Sequence, residues 1–281
     1  RFIFNLGGRL GVYHVRDTFF MSPEPRFSAG IILNKNISLK LAYSKMQQNI
    51  HLLTNSTICL PTDIWVPATD KILSQNSTQY AAGFAFNLPL NLELSVEGFY
   101  KNMNNLVEYK DGQALFFNFD DTEASNTDNW EQKIAQGNGW AYGAEVFLQK
   151  NVGKFNGWIG YTLSWNNRQF ESISFGEVFP YKYDRRHDLS IAVIYKHSEK
   201  IDFGANWVYA SGNNITLGEY QYLTMDNIAD YIQDLYSPYQ SWLNTTEYYG
   251  HRNNFKMPDY HRLDLSVNFH KEKQRGTRTW S

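Results

Sequence analysis

The sequence predicts an all-β fold, a transmembrane antiparallel meander β-barrel, and three observations predict it. Apolar residues recur at every second position in run after run. The connections between runs alternate between tight turns and long segments. Charged residues within the runs keep to the polar side. No stretch approaches the ~18 consecutive apolar residues of a membrane-spanning helix, so a helical membrane protein is excluded. A membrane barrel is not, because its apolar residues alternate with polar ones and the average stays polar.

The alternation can be followed along the chain. Ala29, Ile31 and Leu33 mark an early run, Leu39, Leu41 and Tyr43 the next, and Tyr80, Ala82, Phe84 and Phe86 a third. In 91–100, Leu92, Leu94, Val96 and Tyr100 oppose Asn91, Glu93, Ser95 and Glu97. In 141–150, Tyr142, Ala144, Val146 and Leu148 oppose Gly143, Glu145 and Gln149. In 154–166, Phe155, Ile159, Tyr161, Leu163 and Trp165 oppose Lys154, Asn156, Thr162, Ser164 and Asn166. Leu189, Ile191, Val193 and Tyr195 follow, then Ile201, Phe203, Ala205, Trp207 and Tyr209 opposite Asp202 and Asn206. Last come Leu263, Leu265, Val267 and Phe269, opposite Arg262, Asp264, Ser266, Asn268 and His270. Side chains on a strand alternate faces, so each run is a strand with one apolar and one polar face. No comparably long run has helical spacing.

The turns are the second observation. Lys35-Asn36, Pro89-Leu90, Val152-Gly153 and Ser198-Glu199-Lys200 read as tight turns. Between them lie 48–77, 111–139, 167–184 and 212–258. Short and long alternate strictly if 91–110 is one long strand. That sorting is the pattern of a membrane barrel, whereas a soluble sandwich with Greek-key connections has no reason for it. The count is ten strands, with an eleventh opening near Thr277.

The faces are the third. In a membrane barrel the apolar face meets lipid and the polar face lines the lumen. Glu97, Glu145, Lys154, Asp202, Arg262 and Asp264 therefore face the lumen and any plug within it. Their absence from the apolar face is expected, because Arg or Lys at mid-bilayer costs roughly 2–4 kcal/mol. Tyr100, Tyr142, Trp165, Trp207 and Tyr209 fall near strand ends, which suits interfacial aromatic girdles. The composition agrees. The chain has 281 residues, with 26 Lys and Arg against 28 Asp and Glu, a net charge of −2 that gives no reason to expect a nucleic-acid partner. A single cysteine, Cys59, allows neither an internal disulfide nor a cysteine-rich metal site. The chain opens on Arg1-Phe2-Ile3-Phe4, and it reads as a piece of a longer one.

Seven segments carry a further signal: 42–53, opening Ala42-Tyr43-Ser44-Lys45; 61–67, Pro61-Thr62-Asp63-Ile64-Trp65-Val66-Pro67; 97–107, opening Glu97-Gly98-Phe99-Tyr100; 139–145, opening Gly139-Trp140-Ala141-Tyr142; 157–164, opening Gly157-Trp158-Ile159-Gly160; Asp184-Arg185-Arg186-His187-Asp188-Leu189; and 257–264, opening Met257-Pro258-Asp259-Tyr260. Together, and in family order, they resemble the C-terminal barrel of TonB-dependent outer-membrane receptors of the type common in Bacteroidetes. The resemblance implies a barrel of ~22 strands plugged from within. Residues 1–281 would be a partial barrel domain, its second half without the last strand or so, with plug and N-terminal regions outside this sequence. It implies short periplasmic turns, long extracellular loops and integral residence in a Gram-negative outer membrane. It further implies import of a substrate by TonB-coupled transport, with ligand held by extracellular loops and plug. Chelated iron, a cobalamin-like cofactor, a glycan and a peptide are the candidate substrates. The alternative is a transport-inactive scaffold subunit of an outer-membrane complex. Implied partners are outer-membrane lipid, the protein's own plug, TonB through the absent N-terminal region, and a surface lipoprotein or larger complex. No cofactor is implied.

Chemistry is sparse. The seven histidines form no HExxH pattern, and neither GxSxG nor a P-loop occurs; an outer-membrane hydrolase ranks last. His187, between Arg186 and Asp188, reads as part of a charged loop–strand junction. Cys59 has no basic neighbour to lower its pKa and reads as inert. Asp120, Asp121, Glu123, Asp128 and Glu131 make an oxygen-rich loop without EF-hand spacing, so a solvated acidic loop is expected, with Asp120 and Asp121 as ligand-binding candidates. The segment 212–258 is rich in Tyr and Trp, which give large contact area at low entropy cost. Tyr220, Tyr222, Tyr231, Tyr236 and Trp242 are its binding candidates, and packing of loop on loop is the equal alternative. Segment 55–67, with Leu60, Ile64 and Trp65, is expected to be a packed structural element.

Overall fold

The computed structural model describes residues 1–54, 63–111, 127–223, 245–273 and 276–280. The chain opens with β1 (Phe2–Val15), β2 (Thr18–Ile32), β3 (Ile37–Gln48), β4 (Ile50–Leu53), β5 (Ile64–Pro67) and β6 (Gln75–Leu88). It continues with β7 (Leu92–Tyr109), β8 (Ile134–Lys150), β9 (Phe155–Gln169), β10 (Val178–Pro180), β11 (His187–Lys196) and β12 (Ile201–Ala210). It ends with β13 (Asn214–Ile215), β14 (Tyr220–Leu223), β15 (Thr245–Tyr248), β16 (Phe255–Lys256), β17 (Tyr260–Lys273) and β18 (Gly276–Trp280). One antiparallel sheet runs β1-β2-β3-β6-β7-β8-β9-β11-β12-β17-β18, with β10 beside β9. β4–β5, β13–β16 and β14–β15 are small hairpin-like pairs within the long connections. The sheet is open, with β1 and β18 as its edges. No helix among the described residues is long and apolar enough to cross a membrane.

Register shows why the sequence alternates. Residues directly opposite in an antiparallel ladder share a face. Val96 lies opposite Phe84 and Val146, and Val146 opposite Tyr161, which meets Leu189. Glu97, one residue on, lies opposite Gly83 and Glu145, and Glu145 opposite Thr162, which meets Asp188. One face is thus apolar across the sheet and the other polar. Leu94, Val146, Ile191 and Leu265 sit on the apolar face, none of them buried, and Leu265 is 75% exposed. No dry centre gathers them, as the lipid-facing assignment requires. On the same face Tyr43, Tyr80, Tyr100, Tyr142 and Trp165 stand in one row across five strands. Tyr142 and Trp165 stack with centroids 5.2 Å apart and planes 11° off parallel.

The connections sort as expected with one exception. β1 and β2 join at the loop end through Arg16 and Asp17 alone, with Arg16 at φ 50°. β7 is indeed one strand of 18 residues, but the register shifts between Asn104 and Leu106. Asn105 is the extra residue of this bulge, at φ 58°, and its side-chain amide donates to the Ser74 carbonyl at 3.1 Å. A bulge reverses the alternation beyond it.

The core lies in the loops, not in the sheet. Leu53, Val66, Ile72, Val107, Tyr109 and Ile134 form one buried cluster. Leu106, Ala135, Phe170, Ile173 and Phe179 form a second. The ends of β7 and β8 beyond the bulge are therefore covered on both faces, by Leu53, Val66 and Ile72 on one and by Phe170, Ile173 and Phe179 on the other. Gly137 permits the second contact, since a Cβ there would collide with the Gln169 carbonyl and the Phe170 ring.

Candidate functional site in the loop layer

The bulge decides what β7 presents at the loop end. Past Asn105, Leu106 and Glu108 share a face with Ala135, toward β9 and the returning segment before β17. Glu108 is 4% exposed. Its two oxygens take the Arg168 guanidinium at 2.6 Å and the Arg252 guanidinium at 3.3 Å. Arg252 also donates to the Tyr109 carbonyl at 2.8 Å and pairs with Asp111 at 3.2 Å. Ser174 closes the circuit: its hydroxyl accepts from the Arg252 amide at 2.8 Å, and its own amide donates to Asp111 at 2.9 Å. Arg168 stacks on Tyr181 with 3.5 Å from guanidinium carbon to ring centroid. Burial pushes the Tyr181 phenol above its ordinary pKa, against the opposing pull of Arg168. Buried Glu108 and the more exposed Asp111 thus balance two guanidiniums, which compensates the desolvation of Glu108, Arg168 and Arg252.

The same segment is held at two further points. The Asn253 amide donates to the Thr216 hydroxyl at 3.0 Å and its side chain to the Pro180 carbonyl at 2.8 Å. Asn214 donates to the Tyr181 carbonyl at 3.2 Å. On the other side, Arg16 in the first hairpin turn reaches Asp70 at 3.6 Å and Glu131 at 3.4 Å, and Lys71 reaches Glu131 at 3.5 Å. The described loop segments and the first turn form one tied layer over the end of the sheet.

His51 is the unusual member. It is fully buried in β4, and neither ring nitrogen has a hydrogen-bond partner among the described residues. Burial alone holds its pKa down at about 4, from an ordinary 6.5. An unfolded loop layer takes up this proton before the folded one does, so protonation opposes folding. Stability from this residue is complete above pH 6.5 and falls progressively toward about 4. A His51→Leu variant should flatten that arm of an apparent melting-temperature profile in detergent; an unchanged acid slope would rule out His51 as its source.

No family model and no characterised protein matches the chain by sequence. Solved structures do match. The ferripyoverdine receptor of the outer membrane of Pseudomonas aeruginosa aligns with TM-score 0.57 at 16% identity, over 95% of this chain and 30% of that one. The FrpB iron transporter from Neisseria meningitidis aligns with TM-score 0.52 at 10% identity, over 92% and 33%. The ferric-catecholate import receptor Fiu from Escherichia coli K12 aligns with TM-score 0.50 at 14% identity, over 91% and 30%. The fold is that of the barrel part of TonB-dependent receptors. The chain spans about a third of the length of the receptors it matches.

Within this receptor-barrel fold the residues singled out by sequence fall in different places. Glu97 and Glu145 lie directly opposite each other on the polar face. Asp202 pairs with His270 at 3.0 Å, and Arg262 with Asp264 at 2.9 Å. Lys154 sits in the tight turn before β9, where its carbonyl accepts from the Lys196 amide. The polar face also holds Glu24, buried between Arg9 and Arg26 at 3.8 Å each. Tyr220 is exposed and stacks on Tyr248 at 4.8 Å across the β14–β15 pair. Tyr222 lies on β14, opposite Thr246. Tyr231, Tyr236, Trp242, Asp120, Asp121 and Cys59 lie outside the described residues. Glu131, expected in a solvated acidic loop, is instead buried and ion-paired, because the first hairpin turn brings Arg16 to it. Of the packed element, Val66 is buried and Ile64 packs against the first cluster, but Trp65 is 61% exposed, since β5 turns alternate residues away from that cluster. Glu108, Arg168, Arg252, Asp111 and Ser174 carried no sequence signal.

Proposed function

We propose that the chain is part of an outer-membrane receptor that imports a substrate by TonB-coupled transport, with ligand held between the loop layer and a plug. The observation that carries the reading is the division within one sheet: an apolar face for lipid, a polar face for an aqueous lumen, and a buried core lifted into the loops at one end. A soluble sheet would bury its apolar face instead. Chelated iron is the substrate class we favour, because the three receptors named above are called ferripyoverdine, ferric-catecholate and iron proteins. The Bacteroidetes type rests on the seven sequence segments. Deleting the gene should abolish uptake of a ferric chelate, and an intact gene in a TonB-deficient strain should behave alike. Unchanged uptake in both overturns the transport reading, and outer-membrane fractionation without uptake favours the scaffold reading.

The polar face supports a plug. Glu97 and Glu145 face each other with no ion pair or hydrogen bond among the described residues, and like charges directly opposite destabilise a sheet. A cationic plug group would neutralise both. Glu145→Leu should therefore relieve roughly 0.2–1 kcal/mol of repulsion in the sheet while weakening plug retention and uptake. Identical uptake and identical heat stability would show that no plug contact is made there.

A further inference from the structure

The apolar face carries a hollow that the barrel itself does not require. Ala82, Gly98 and Ala144 stand side by side across β6, β7 and β8, so three adjacent strands present almost no side chain at one level. The aromatic row lies one step nearer the loops and forms its wall. The hollow measures about 710 Å³ and no charged side chain lines it, a size within the roughly 300–1,000 Å³ of small-molecule sites.

Gly98 is the informative residue. Glycine inside a strand weakens it, and often marks the close approach of a ligand or another backbone. A Cβ at Gly98 would meet nothing nearer than the Gly143 carbonyl oxygen at 3.8 Å, and its φ lies outside the left-handed region. At Gly83 and Gly143, by contrast, a Cβ would press on neighbouring backbone. Neither packing nor conformation demands glycine at 98, so what its missing side chain provides is space.

Cations flank that space. Lys45 lies two residues beyond Tyr43 on the same face of β3, and makes no ion pair or hydrogen bond among the described residues. Arg186 lies over Trp165 at the other end of the row, 4.6 Å from guanidinium carbon to ring centroid, and pairs with Asp184 at 3.0 Å. Tyr and Trp rows mark the level of lipid headgroups. An apolar hollow beneath that level with an unpaired cation above it complements an amphiphile with a hydrocarbon tail and an anionic head.

We propose that the hollow over Gly98 seats one acyl chain of a phosphate-bearing glycolipid of the outer leaflet, with a phosphate on Lys45. The proposal rests on the outer-membrane reading above. The test is native mass spectrometry of the full-length protein in mild detergent, titrated with bisphosphorylated lipid A. One lipid should survive activation that strips the rest. Gly98→Leu should weaken its retention at least tenfold, and Lys45→Gln about fivefold. Removing the phosphates from the lipid should weaken retention by the wild type and have little effect on Lys45→Gln. If Gly98→Leu loses the folded electrophoretic mobility of a barrel, Ala144→Val and Lys45→Gln decide instead. Equal retention in the variants overturns the proposal, as does a co-purifying protein, in place of lipid, released by Gly98→Leu. Loss of lipid selectivity with outer-membrane fractionation and uptake intact sinks this inference alone. A wild type absent from the outer membrane sinks the receptor reading with it.

Discussion

Replacing Arg252 by Met should detach the segment before β17 from the loop layer. Arg252 is 7% exposed and its guanidinium serves Glu108, Asp111 and the Tyr109 carbonyl together. Met keeps much of the volume but leaves the buried Glu108 with Arg168 as its single cation. Breaking a buried pair so that a charge is left wholly uncompensated costs roughly 3–5 kcal/mol; Glu108 keeps Arg168 at 2.6 Å, so the loss here falls below that range. The second substitution, Glu108→Gln, removes that charge while leaving an acceptor for Arg168. The double variant should therefore be less destabilised than the sum of the single changes. Limited proteolysis within 211–259 and the apparent melting temperature are the two readings. Arg252→Met should become cleavable at a protease concentration that spares the wild type, and Glu108→Gln in the same chain should restore part of the resistance. An unchanged digestion pattern in Arg252→Met would show that this network does not hold the segment down. Strictly additive effects would show that the two residues do not act as a pair.

Sequence and structure agree where the information is local. A strand face repeats every second residue, so Leu94 and Val96 against Glu93 and Glu97 reveal it within a few positions. The turn at Pro89-Leu90 is equally local, and the ladder shows β6 and β7 meeting there. The loop layer is different because its contacts are long-range. Arg168 and Glu108 are 60 residues apart, and Arg252 and Tyr109 are 143 apart. No periodicity links such pairs. The bulge at Asn105 also defeats extrapolation. Counted from Val96, Glu108 belongs to the apolar face, and only the extra residue moves it to the side where Arg168 and Arg252 stand. Hydrophobic residues such as Phe170, Ile173 and Phe179 read as loop residues because they follow no strand period, yet they are among the most deeply buried side chains of the described chain. Tyr220 shows the reverse: its composition-based candidacy as a binding residue stands beside a stack on Tyr248 that is itself loop packing.

Phe170→Ala should loosen the loop layer while leaving the sheet intact. The ring is fully buried, stacks on Phe179 with centroids 6.0 Å apart, and lies over Gly137, where no Cβ intervenes. Truncating a buried phenylalanine costs roughly 3–5 kcal/mol, the larger values arising where the site cannot collapse. Collapse is hindered here because β8, beneath the ring, is pinned by its ladders to β7 and β9. The cavity would be paid for by local opening, since the sheet hydrogen bonds of 155–163 do not pass through this cluster. Amide exchange at 170–179 and 134–136 should accelerate roughly a hundredfold or more, the factor that such an energy implies for a local unit. Exchange along 155–163 of β9 and along β11 should stay at the wild-type rate. Uniform acceleration through those strands would mean that loops and sheet open as one cooperative body, and the separation of a loop core from the two-faced sheet would fail. Unchanged exchange at 170–179 would place the stabilising contacts of that layer elsewhere, in the ionic circuit around Glu108.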